Sequence, residues 1–146
     1  MKFPVWFIVV FMGASFACAE STTADARVYF ISPHAGQMVR NPVTVRFGLR
    51  GMGVAPAGTH IPHTGHHHLI LDAPLPALER VVPKDERHLH FGNGQTETVL
   101  NLKPGWHTLQ LLFADSGHVP HKPPVVSQKI GIFVVPDTMS PPSPAP

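Results

Sequence analysis

Histidine is the residue type able to do chemistry in this chain, with 11 copies in 146 residues. His66-His67-His68 are consecutive, His88 and His90 flank Leu89, and His118 and His121 bracket Val119-Pro120. A neutral imidazole nitrogen ligates copper, zinc, nickel and iron. A metal site needs three or four such nitrogens converging on one point, usually from different elements. On a strand, residues two apart share a face. His66 and His68 therefore point one way, while His67, Leu69 and Leu71 point the other. His88 and His90 likewise oppose Leu89 and Phe91. If the leucines face a core, both histidine pairs lie on the solvent side. Two such strands side by side would present four imidazoles in one patch, with the His118/His121 loop folding over its edge. This spacing predicts a copper or zinc site built from His66, His68, His88, His90, His118 and His121. The competing reading is a polar network in which these histidines bond each other, backbone carbonyls and Asp72 or Asp115.

The remaining histidines separate by context. His67 belongs with the core if Leu69 and Leu71 do. His107 opens a strand after Pro104-Gly105-Trp106 and reads as a structural residue bonding backbone at a strand corner. His60 and His63 lie in a Gly/Pro loop within reach of a surface metal, and His34 lies in an exposed turn. Other catalytic patterns are missing. Ser32, Ser116 and Ser127 sit in no nucleophile-elbow context. Gly92-Asn93-Gly94 lacks the lysine and helix of a phosphate loop. Aromatic residues are few and not interleaved with basic ones, which argues against nucleic acid. No catalytic residue is assigned. If a metal kept an open coordination position, Asp72, Glu97 or Asp115 would be the nearby candidates for a general base.

The elements that must hold these residues are short. Arg27–Ile31, Val43–Leu49, His66–Leu71, His88–Phe91, Thr96–Leu102, Thr108–Ala114 and Val125–Val135 carry β-formers or apolar/polar alternation. Gly51 to Gly65 reads as a long loop, and Pro74 to Pro83 as irregular with at most one helical turn. About seven strands between frequent turn signals predict an immunoglobulin-like β-sandwich over residues 27–135, with a small barrel as the alternative. Hydrophobic residues make up 43% of the chain and charged residues 14%, which excludes wholesale disorder. The formal charge of +2 leaves no basic patch of the size nucleic acid demands.

The two ends read differently. Lys2 precedes the apolar run Val5–Met12, and Ala17-Cys18-Ala19 fits the small-x-small cleavage rule, which predicts an export signal over residues 1–19. The run is too short to span a bilayer comfortably; an uncleaved anchor and lipidation at Cys18 are the alternatives. Cleavage before Glu20 would remove the single cysteine and Lys2, leaving no disulfide, no thiolate ligand and no membrane span. Residues 20–26 form a polar lead, and the proline-rich 136–146 reads as a disordered tail. The expected location is the periplasm or exterior of a bacterium, with a metal ion as partner and no protein partner specified.

Several motifs in order carry a resemblance. Gly51-Met52-Gly53-Val54-Ala55-Pro56-Ala57-Gly58 is followed by Thr64-Gly65-His66-His67-His68-Leu69-Ile70-Leu71-Asp72. His88-Leu89-His90-Phe91-Gly92 precedes Gly94-Gln95-Thr96-Glu97, and Gly105 precedes His107-Thr108-Leu109-Gln110-Leu111. Asp115, His118-Val119-Pro120-His121 and Pro123-Pro124-Val125-Val126-Ser127 complete the set. Together they closely resemble the uncharacterised bacterial family called domain of unknown function 4399, over about Val28 to Val134. The resemblance implies a small exported β domain and brings no activity, substrate or ligand.

Overall fold

The computed structural model describes residues 25–136. The expected export signal, residues 20–24 of the polar lead and the tail beyond residue 136 lie outside the described residues. Alternation sets the first long strands: Val43, Val45 and Phe47 are buried while Thr44 and Arg46 are exposed, the pattern of a strand with one face on a core. The chain runs through β1 (Arg27–Ser32), β2 (Met38–Val39), β3 (Val43–Arg50), β4 (Gly53–Val54), β5 (Thr64–Leu71), β6 (His88–Phe91), β7 (Glu97–Leu100), β8 (Gly105–Ala114), β9 (Pro120–Val126) and β10 (Ile130–Val134). The fold is all-β, with no α-helix among the described residues. Within them, no helix is long and apolar enough to cross a membrane.

Two sheets share one core. β1, β3 and β7 form a three-stranded sheet; the larger sheet runs β2-β10-β8-β5-β4, with β6 also on β5 and β9 also on β8. Val28, Val43, Val45 and Phe47 of the small sheet pack in one cluster with Leu69, Leu109, Leu111, Phe113, Ile132 and Val134 of the large one. Phe47 crosses the interface, its ring 5.0 Å from Phe91 and 5.2 Å from His67.

β8 organises the large sheet. On one edge it pairs β5 in the register His66↔Ala114, His67↔Phe113, His68↔Leu112 and Leu69↔Leu111. Gly65 makes the close approach possible, since a Cβ there would run into the Ala114 carbonyl oxygen. On its other edge β8 pairs β10 through Gly105–Leu109 and β9 beyond Leu112. The sequence pattern predicts a single strand in place of these two, Val125–Val135. Ser127 divides them: its Oγ accepts from Leu111 N at 2.8 Å and its O–H donates to the Gln128 carbonyl at 2.8 Å, which turns the chain.

The face carrying His66 and His68 is not open to solvent as expected. Both are buried, at 0% and 1% exposure. A second apolar cluster of Ile70, Ala73, Val82, Leu112 and Ala114, with Leu75, Leu78 and Val126 against it, covers that side. The segment after β5, expected to be irregular, supplies the cover. It is tied down by Leu71 N to the Arg87 carbonyl (2.8 Å), Val82 N to the His118 carbonyl (2.9 Å) and Lys129 Nζ to the Ala73 carbonyl (3.1 Å).

Candidate metal centre

Three elements bring four imidazoles together. β5 contributes His66 and His68, two residues apart on one face. β6 pairs β5 with His90 opposite His68, so the His90 ring joins that face. His118 comes from the turn between β8 and β9. There the Asp115 Oδ1 accepts from Gly117 N (2.8 Å) and Val119 N (2.9 Å), and His118 N donates to the Asp115 carbonyl (3.0 Å). His118 holds a left-handed backbone, φ +67°, which costs a non-glycine residue about 1–2 kcal/mol. Its ring centroid lies 4.9 Å from His66, 4.7 Å from His90 and 6.0 Å from His68. Within the strand-borne triad the spacings are 4.9, 4.9 and 5.1 Å.

The nitrogens of His66, His68 and His90 converge: one from each lies within 4.8 Å of the other two. His66 Nε2 and His68 Nε2 are 3.1 Å apart. His66 Nδ1, His68 Nδ1 and His90 Nε2 are buried without any hydrogen-bond partner. Leaving a buried polar group unpaired costs about 1–3 kcal/mol, and each of the three rings carries one such atom.

Electrostatics keep these rings neutral. Burial first, then the adjacent His118 and His90, lowers the His66 imidazole to about 4. Burial, then His66, His90 and His118, lowers His68 to about 3. His90 is also lowered, by burial and then by His118 and Lys84. Neutral imidazole is the form that ligates a metal ion.

Of the six residues singled out from the sequence, the structure gathers four. His88 shares the face of His90 but is claimed by Asp85, whose Oδ1 accepts from His88 Nδ1 at 2.9 Å and from its backbone N at 2.9 Å. His121 falls on the opposite face. The pairing of β8 with β9 slips between Phe113 and Ala114 and sets Pro120 against Ala114, so the next side chain turns to Phe113. The His121 ring stacks there at 5.8 Å and 21°. His67 is fully buried in the core between Phe47 and Phe113, and burial lowers it to about 4. His34 is exposed, and His60 meets Ser116 Oγ at 2.9 Å.

The candidate bases have structural work. Glu97 pairs with Arg46 at 3.1 Å on the small sheet, Asp72 accepts from His107 and from Thr108 N, and Asp115 holds its own turn. Sequence reasoning missed Gly92, whose absent side chain makes room for the His90 ring; the signal was its two-residue spacing from His90. It also missed the apolar walls Ile70 and Leu112. Their signal was the unbroken runs Leu69-Ile70-Leu71 and Leu111-Leu112-Phe113, which mark strands buried on both faces.

The family model described as Domain of unknown function (DUF4399) matches residues 45–135, a span holding all four clustered histidines. No curated protein and no solved structure matches the chain.

Proposed function

We propose, for a chain that belongs to the DUF4399 family, that the buried histidine cluster binds a transition-metal ion, copper or zinc, for carriage or buffering. One observation carries this reading: a ring nitrogen from each of His66, His68 and His90 lies within 4.8 Å of the other two, in a buried place. A cation at the point of convergence would be held by neutral imidazoles, and nitrogen donors suit copper and zinc. The role is binding and not catalysis, because Asp72, Glu97 and Asp115, the carboxylates considered as bases, serve the fold. We further propose that the two sheets form an immunoglobulin-like sandwich, and that the protein works outside the cytoplasm after loss of residues 1–19.

Metal analysis and calorimetry on protein purified without a histidine tag test the reading. Copper(II) or zinc(II) should bind with a stoichiometry near one, and His90→Ala should weaken binding at least tenfold, as expected for loss of a ligand. If neither ion binds better than to that variant, the histidines are structural. A second reading, an interaction module of the cell envelope, draws on a different place. Met38 and Trp106 are exposed at 70% and 68%, and Trp106 packs edge-on against Phe133 at 5.5 Å. An exposed apolar patch of this kind fits a protein partner.

A further inference from the structure

The spacing of the four rings narrows the ion. Zinc holds four nitrogens tetrahedrally at about 2.0–2.1 Å, which sets neighbouring donor nitrogens about 3.3 Å apart and imidazole centroids about 5 Å apart on all six edges. Here His66 Nε2 and His68 Nε2 are 3.1 Å apart, and five of the six centroid distances fall between 4.7 and 5.1 Å. A planar four-nitrogen set, the geometry copper(II) favours, would need two opposite pairs stretched to about 6.3 Å. One pair, His68–His118, reaches 6.0 Å, but the pair opposite it, His66–His90, stays at 4.9 Å. By centroid spacing the four rings outline a tetrahedron with one long edge, while the nitrogens that already converge are those of His66, His68 and His90; His118 must turn its ring to join them.

We propose that His118 closes the His66/His68/His90 triad into a four-imidazole tetrahedral site for zinc(II). This rests on the metal-binding reading above and names its ion and fourth ligand. His118 sits on a turn and not on a strand, so it can rotate its ring inward without disturbing sheet pairing. Its 6.0 Å edge to His68 is the one that shortens as it does. Copper(I) shares the tetrahedral preference but is drawn to sulfur, and all four rings of this cluster offer nitrogen alone. A closed shell of four protein ligands leaves no position for substrate, which is the arrangement of a structural or carrying site.

Cobalt(II) is the probe, because its visible bands are intense when tetrahedral and weak when six-coordinate. Tag-free full-length protein, stripped with chelator, is titrated with cobalt(II) and then with zinc(II), and separately with copper(I) under anaerobic conditions. The expected result is intense bands at one equivalent, abolished by one equivalent of zinc(II), with copper(I) weaker than zinc(II). His118→Asn, which tolerates the left-handed backbone, should lose most of the band intensity and bind zinc(II) at least tenfold more weakly. Its metal-free melting temperature serves as the check that it folds; should it fail that check, His118→Gln takes its place. Weak bands, or bands unchanged in the variant, would overturn the four-histidine site while leaving metal binding intact. Tighter copper(I) than zinc(II) would overturn the ion. No cobalt or zinc binding at all would overturn the metal reading itself.

Discussion

At Gly92 a single hydrogen occupies the place that a methyl group would take from the His90 ring. The backbone there needs no left-handed φ, so alanine fits the strand end and only the ring must move. Gly92→Ala should therefore lower zinc affinity about tenfold, the scale of a displaced ligand support, while the metal-free melting temperature stays close to that of the parent. Calorimetry and thermal melts on the same preparation check both halves. His34→Ala is the contrast: this exposed turn residue should change neither value. His67 gives the opposite split from Gly92. It lies among Phe47 and Phe113 on the core side of β5, so His67→Ala opens a cavity beneath the sheet. It should lower the melting temperature and leave the affinity of correctly folded protein unchanged. Loss of affinity without loss of stability would mean that the core-facing ring reaches the site. The histidine that sequence context set apart as structural, His107, is bonded at both nitrogens, to Asp72 Oδ2 at 2.7 Å and to the Lys103 carbonyl at 2.8 Å. Both partners are acceptors, an arrangement that favours a hydrogen on each ring nitrogen and so a positive charge. Burial opposes that charge, but the Lys103 carbonyl and the Asp72 carboxylate outweigh it and raise the pKa.

Strands, more than single residues, decide what could be read ahead of the structure. Period-two alternation located β3, β5 and β6 and assigned their inward faces, because one covered face leaves a regular apolar trace. It placed His66, His68, His88 and His90 in one patch for the same reason, of which His88 is held by Asp85. What it could not register was the second cover. Val82 and Ala73 belong to a segment without periodicity, and a loop laid over a sheet leaves no repeating pattern. The outer face of β5 therefore looked solvated when it is sealed. His118 and His121 illustrate the other limit. Both come from one proline-bounded stretch, and only the slipped register opposite Ala114 turns the second toward Phe113. β8 is the element on which the rest depends, since it pairs β5, β9 and β10 and buries six consecutive residues, Leu109 to Ala114. Leu111 is fully buried in the shared core. Leu111→Ala should destabilise by about 2–5 kcal/mol through lost burial and the cavity left behind, measured by denaturant unfolding. A cost below about 1 kcal/mol would mean that the two sheets do not share a tight core.

Across the whole molecule, stability should depend on pH with two unequal limbs. His66, His67 and His68 sit at about 4, 4 and 3 in the folded chain, each lowered chiefly by burial, against about 6.5 in an unfolded one. The unfolded chain thus takes up protons first as pH falls. Their contribution is complete above about pH 6.5 and is lost as pH drops toward 4, at about 1.4 kcal/mol per pH unit for each ring. Three rings together approach about 4 kcal/mol per unit, which is enough within two units to exhaust the 5–15 kcal/mol typical of a domain. His107 acts in the other direction. Its raised pKa means the folded state holds the proton more tightly, so its contribution is present below about pH 6.5 and is lost as pH rises through the folded value. One raised histidine against five lowered ones, His90 and His121 among them, makes the alkaline limb the shallower. Urea unfolding of chelator-treated protein from pH 8.5 to 4.5 should show a maximum near neutrality, a steep acid side and a gentle alkaline side. His107→Gln should flatten only the alkaline side, and His67→Leu should lessen the acid slope by about one ring's share, roughly 1.4 kcal/mol per unit. A parent curve that stays level from pH 7.5 to 5 would show that the three central imidazoles are not buried in solution.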